Sequence, residues 1–172
     1  AEITKIIEFA RYRGVRVIPE FDTPGHSLSW GPGAGDGFLT ACYEGDKPTG
    51  TFGPIDPTFK SNYDLMIMLY SEFGFYKFFS GKYVKNIETK KKLTKVTTIF
   101  TDSYVHLGGD EVPFGCWKSN PNITDYMKKN NLTNYAELES LWVSAMIDTV
   151  TYLNKDCVVW EEVFNNGVKV GF

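Results

Sequence analysis

The chain has 172 residues, of which 42% are hydrophobic and 23% charged, with a formal net charge of −3. That length suits one domain, and the acidic balance argues against a nucleic-acid partner. No apolar run is long enough to span a membrane. Residues 2–13 place Ile3, Ile6, Ile7 and Ala10 at i, i+3, i+4 and i+7, which predicts a helix stopped by Gly14. Val15, Val17 and Pro19 then alternate with Arg16, Ile18 and Glu20, the period of a strand. That strand runs into Asp22, Thr23, Pro24 and Gly25, each a turn residue for its own physical reason. His26 ends the run, with Asp22 four residues back available to orient it.

Residues 61–73 are apolar on most sides and predict a second helix. The segment 74–100 that follows is unlike the rest. Residues 75–100 carry seven Lys and one Glu, a net of +6 against a total of −3, so the remainder sums to −9. An αβ loop usually has about 2–6 residues, so 74–100 reads as an insertion. Its origin is either an intron left in the gene model or a lineage-specific loop, and it is expected to pack poorly. Phe75, Tyr76, Phe78 and Phe79 beside the lysines allow a membrane-surface reading, but no membrane partner is expected.

Tyr104 and Val105 read as the end of a buried strand, and His106-Leu107-Gly108-Gly109-Asp110-Glu111 follows. Neighbours on a strand face opposite ways, so Asp110 and Glu111 serve one site only if the chain is already turning. Gly108 and Gly109 permit that turn and a close approach of backbone to ligand. Residues 134–153 predict the clearest helix, with Asn134 and Glu137 resembling a capping box. Its predicted buried face is Leu138, Leu141, Trp142, Ala145, Thr149, Tyr152 and Leu153. Cys157, Val158, Val159 and Trp160 predict a third strand, again ending in an aromatic and two acids, Glu161 and Glu162.

Taken singly, these features are ordinary: a polar turn, a solvated histidine, a wall tryptophan. Three strands that all end in site-like residues argue for a shared rim. Helices between the strands imply βαβ units and parallel pairing. His26 and His106 are the only histidines, and no close His/Asp ligand spacing appears, so neither a metal nor another cofactor is expected. Three cysteines leave the redox state open, three buried reduced thiols being one reading.

The stretches VIPEFDTPGHSLSWG, HLGGDEV with its following CW, and VVWEEVF resemble the family 20 glycoside hydrolases, in particular the animal lysosomal β-N-acetylhexosaminidase type. The resemblance covers nearly the whole chain outside 74–100. It implies an α/β fold, a (β/α)8 barrel, of which these parallel strands are the third, fourth and fifth. It implies hydrolysis of terminal non-reducing β-linked N-acetylglucosamine or N-acetylgalactosamine with retention, the substrate's own acetamide oxygen acting as nucleophile. On that resemblance Glu111 is the general acid and base, and Asp110 orients the acetamide and stabilises the oxazolinium. His26 supports the acid, Trp160 walls the sugar pocket and Asp22 is a supporting partner. The resemblance also pairs Cys42 with Cys116, leaves Cys157 free, places the protein in the lysosome or outside the cell, and makes the full-length parent a dimer. Two acceptor sequons, at Asn122 and Asn131, fit that compartment.

A whole barrel needs about 200 residues or more. The chain begins inside a helix and stops shortly after the third strand, so residues 1–172 read as an internal part of a catalytic barrel, inactive alone. A binding-only carbohydrate protein on the same scaffold is the alternative. The intact Asp110 and Glu111 favour the enzyme.

Overall fold

The computed structural model describes residues 2–72 and 99–168. Their elements run α1 (Glu2–Arg11), a 3-10 turn (Leu28–Trp30), α2 (Gly31–Ala34), β1 (Leu39–Glu44), β2 (Lys47–Ile55), α3 (Lys60–Glu72), β3 (Tyr104–His106), α4 (Gly115–Ser119), α5 (Pro121–Lys129), α6 (Tyr135–Tyr152), β4 (Asp156–Val158) and α7 (Glu161–Asn165). The expected insertion at 74–100 lies outside the described residues except for Ile99 and Phe100, and Phe100 is buried in the main core.

The fold is mixed α/β with a parallel sheet. β3 pairs with β4 in parallel, Val105 opposite Cys157 and His106 opposite Val158. The first predicted strand joins on the other side of β3, but later in the chain than the alternation suggested. Its regular pairing is one parallel bridge, Glu20 to His106. His106 N–H donates to Pro19 O and Phe21 N–H to His106 O, both at 2.9 Å. Val15 and Ile18 are exposed, and Arg16 reaches out to grip Asp102 in a two-pronged ion pair, both bonds 2.8 Å. Alternation alone could not show that residues 15–18 have no strand beside them among the described residues.

An antiparallel hairpin, β1 with β2, was not anticipated. Gly45 and Asp46 turn it, Gly45 with φ 57°, a short-turn signal that the chain did carry. Two prolines and two glycines within Lys47–Ile55 diluted the strand pattern. The hairpin is tied to α4 by a Cys42–Cys116 disulfide, as the resemblance implied, with Cα atoms 4.3 Å apart. Gly53 lies beneath it: a Cβ there would come within 2.6 Å of Cys116 Cβ.

Helix α6 joins two cores. Leu138 packs with Trp117, Ile123 and Met127 in the smaller one. Trp142, Val143, Met146 and Val150 pack with Val105, Leu107, Met66 and Tyr70 in the larger one. The buried face is rotated from the predicted one: Leu141 and Tyr152 are exposed, while Glu139, Val143, Met146, Ile147 and Val150 are buried. The cap is as expected at one end, Glu137 N–H donating to Asn134 Oδ1 at 2.9 Å. The return bond from Glu137 goes one residue further back, where its carboxylate accepts from Thr133 N–H at 2.6 Å. Both buried indoles are satisfied by threonine hydroxyls, Trp117 by Thr40 of β1 at 3.1 Å and Trp142 by Thr23 of the loop after the first segment at 2.9 Å. Among the described residues no helix is long and apolar enough to cross a membrane.

Candidate active site

The site forms where the parallel strands end. After Phe21 the first segment leaves the sheet, and its loop is tightly fixed. Ser27 Oγ is 2.8 Å from both Pro24 O and Gly25 O, and Ile55 N–H donates to Pro24 O at 3.0 Å. This holds His26 with φ 48°, in the left-handed region that non-glycine residues rarely occupy.

After His106 the second segment turns through Gly108 (φ 68°) and Gly109 (φ 95°). Asp22 explains why glycine is needed. A Cβ on Gly108 would overlap Asp22 Oδ1 and come within 2.5 Å of Asp22 Cα, and a Cβ on Gly109 would overlap Val163 Cγ2. Without those atoms, Gly109 N–H donates to Asp22 Oδ1 at 3.0 Å. Glu111 then also takes a left-handed backbone, φ 47°. Strain of this kind is held only where the surroundings dictate it, and it gathers at functional sites.

The turn brings together the sequence-predicted residues. His26 Nε2 lies 3.8 Å from Asp110 Oδ2 and 3.8 Å from Glu111 Oε2. The two acids differ in setting: the Asp110 side chain is 27% exposed and that of Glu111 75%. Asp110 faces inward, and its Oδ1 is buried with no hydrogen-bond partner among the described residues. Ligand-capable atoms of Asp22, His26 and Asp110 all fall within 4.8 Å of one another. Burial raises the Asp22 pKa, the charge of Asp110 adds to the rise, and the Gly109 N–H and His26 oppose it. Among the described residues, these three side chains are the group that could ligate an ion. Linear spacing gave no sign of this grouping, because it joins two different strand ends.

Trp160 stands at the end of the third strand, its N–H bonded to Gly108 O at 3.0 Å. Its indole N–H donates to Glu20 Oε1 at 3.0 Å, and its ring lies 4.7 Å from that of His106. An open cavity of about 460 Å³ is lined by Asp110, Trp160, Glu161 and Glu162. Sequence reasoning gave Glu20 and His106 no part in the site, and noted Glu161 and Glu162 as acids at a strand end without a role, although all four lie in the strand-end motifs that identified it. Gly108 N–H donates to His106 Nδ1 at 3.1 Å, and the same nitrogen lies 3.5 Å from Glu20 Oε1.

The remaining calls lie elsewhere. Cys42 and Cys116 anchor the hairpin, and Cys157 is a free, half-buried thiol on β4. Asn122 and Asn131 are exposed, on the first turn of α5 and in the α5–α6 turn.

A family model described as glycosyl hydrolase family 20, catalytic domain, matches residues 1–171. The chain is 47% identical over 169 residues to the beta-hexosaminidase subunit alpha of Mus musculus, covering 98% of this chain and 28% of that protein. It is 38% identical over 170 residues to the beta-hexosaminidase subunit beta of Homo sapiens, covering 98% and 26%. It is similar in structure to an exo-β-N-acetylglucosaminidase of Vibrio harveyi solved with N-acetylglucosamine, with a TM-score of 0.68, 26% identity and coverage of 98% and 23%. The chain thus spans about a quarter of the length of the curated relatives it matches.

Proposed function

The chain belongs to glycosyl hydrolase family 20, and from that membership we propose that the full-length protein is a β-N-acetylhexosaminidase. It releases terminal β-linked N-acetylglucosamine or N-acetylgalactosamine from glycoconjugates, with retention, through an oxazolinium intermediate. The observation that carries this reading is the placement of Asp110 and Glu111 by a left-handed turn, under His26 and beside the Trp160 cavity.

The settings of the two acids suit two roles. Glu111, the more exposed, reaches a leaving oxygen at the cavity mouth; it donates a proton to that oxygen and later accepts one from the attacking water. Asp110, held inward against Asp22, accepts the acetamide N–H of the bound sugar. That turns the acetamide oxygen onto the anomeric carbon and offsets the positive charge that develops there. Trp160 offers an apolar face to the sugar ring, and its bond to Glu20 fixes the indole's orientation. The three parallel segments are the third to fifth strands of a (β/α)8 barrel, whose remaining strands supply the rest of the pocket. The disulfide and the exposed sequons support passage through an oxidising compartment to the lysosome or the cell exterior; the relatives are named as subunits, which supports an assembly of more than one chain, a dimer in this reading.

Turnover of an aryl N-acetylhexosaminide by the full-length protein tests the assignment. Glu111→Gln should abolish turnover with substrate binding kept, and Asp110→Asn should lower kcat by about a hundredfold or more. Unchanged turnover in the Glu111 variant would refute the assignment.

A further inference from the structure

One acidic group in the described residues sits apart from this chemistry. Glu139 is fully buried in α6, within the stripe that otherwise holds Leu138, Trp142, Val143 and Met146. One oxygen, Oε2, accepts from Asn166 Nδ2 at 3.0 Å. The other, Oε1, is buried and has no hydrogen-bond partner among the described residues. Asn166 is the C-terminal cap of α7, with its own N–H bonded to Glu162 O at 2.7 Å.

Helix α7 is the wall of the candidate site. Trp160 caps its start, and Glu161 and Glu162 line the cavity with Asp110. Val163, fully buried, fills the space that the missing Cβ of Gly109 leaves. The Glu139–Asn166 bond is therefore a side-chain tie from the rigid α6 to the end of the short helix whose other end touches the Gly108–Gly109 turn.

We propose that Glu139 is a positioning residue that, through Asn166, holds α7 in place and so keeps Trp160 and Val163 against the turn that presents Asp110. The claim deepens the hydrolase reading and rests on it for its kinetic part. Glu139 does this work as a neutral carboxylic acid. Asn166 donates to its carbonyl oxygen and the proton stays on the other. A buried, ionised carboxylate with a single amide donor would be poorly compensated. Burial raises its pKa to about 7, and the Asn166 bond opposes the rise. The titratable groups on the elements packed around it, Tyr63, Asp64 and Tyr70 on α3, Cys157 on β4, and Glu161 and Glu162 on α7, exert no resolved charge effect on it. Ionisation towards neutral pH does not break the bond to Asn166, but it leaves a buried charge with one donor, so the packing of α6 on α7 loses stability as pH rises.

The direction of the pH effect follows. The folded carboxyl binds its proton more tightly than the unfolded one, so folding stability falls as pH rises from about 4.5 to about 7 and levels off above that. The test uses the full-length protein, with melting temperature and steady-state constants for an aryl N-acetylhexosaminide measured from pH 4 to 8. Glu139→Gln keeps the shape and the bond to Asn166 but removes the titration. Its melting temperature should match wild type near pH 4.5 and exceed it at pH 7.5, and its kcat/KM should hold up better from pH 5.5 to 7.5. Asn166→Ala should lower kcat/KM by about ten- to a hundredfold at acid pH, well below its melting temperature, because the cavity wall moves. Two outcomes overturn the claim: a Glu139→Gln protein less stable than wild type at neutral pH, or an Asn166→Ala protein that melts lower with kcat/KM intact. Should the wild-type protein not hydrolyse the sugar at all, the hydrolase reading fails, and the melting curves of Glu139→Gln still decide whether Glu139 is the neutral tie.

Discussion

Asp22 and Gly109 come from strand ends 87 residues apart, yet the Gly109 N–H donates to Asp22 Oδ1 at 3.0 Å. The contact exists because Gly108 has no side chain: its backbone lies where any Cβ would collide with Asp22. The acids of the candidate site thus depend on one glycine and one aspartate from a neighbouring strand. This is the closest packing in the site, and it leaves little room for change.

Gly108→Ala should therefore be among the most damaging substitutions in the chain. It sets a Cβ on Asp22 and forces alanine to φ 68°. The expected result in the full-length protein is a stability loss of more than about 2 kcal/mol together with lost turnover, read by denaturant melts and kinetics. Gly33→Ala is the control, because a Cβ there meets nothing within 4 Å.

Removing the disulfide should be costly without touching the site. Cys42 and Cys116 are 74 residues apart, and the loop-closure estimate for that span is about 4 kcal/mol. Replacing both by Ser should lower the urea midpoint accordingly while leaving KM near its wild-type value. Non-reducing peptide mapping of the secreted protein should show the 42–116 linkage, with Cys157 as a free thiol.

The Arg16–Asp102 pair carries a second pH signature, at the acid end. The Arg16 guanidinium holds the Asp102 carboxyl down to about 2. Its contribution is fully present above the ordinary carboxylate range and is lost as pH falls from about 4 to about 2. Asp102→Asn should flatten the melting temperature over that interval and leave it unchanged in slope above pH 5. A wild-type slope retained in the variant would show that the pair does not titrate as described.

Residues 1–172 expressed alone should neither fold cooperatively nor hydrolyse N-acetylhexosaminides. Ile6, Phe9, Tyr12 and Val15 are exposed along α1 and the segment after it. A parallel sheet cut to three segments also presents open edges, which favours aggregation. Analytical ultracentrifugation and a chromogenic assay test this, and a monodisperse, active preparation would contradict it.

The strand-end motifs were legible because each carries local chemistry: glycines before a turn, acids after it, an indole at an edge. They located Asp110, Glu111, His26 and Trp160, and the fold brings these four to one rim. What stayed hidden depends on contacts between distant residues. The pairing of Glu20 with Trp160 and the closeness of Asp22 to Asp110 join different strands, so no spacing along the chain reports them. The face of α6 was misjudged because a glutamate, Glu139, is buried within it and breaks the apolar stripe by which a buried face is read. Leu141 and Tyr152 were accordingly assigned inward. The hairpin was missed because β2 carries Pro48, Gly50, Gly53 and Pro54, residues that argue against a strand unless it lies at an edge.

The placement of the tryptophans gives the protein its own optical reporter. Of the four indoles, Trp117 and Trp142 are sealed in the two cores, Trp30 is half-buried against Phe38, and Trp160 stands open at the cavity. A small neutral quencher such as acrylamide will therefore dim Trp160 emission first, while Trp117 and Trp142 keep their blue-shifted light until the chain unfolds. A sugar that settles on the Trp160 ring shields it from the quencher and leaves the buried pair untouched. Occupancy of the cavity and integrity of the fold can thus be followed in one cuvette, without a label and without turnover.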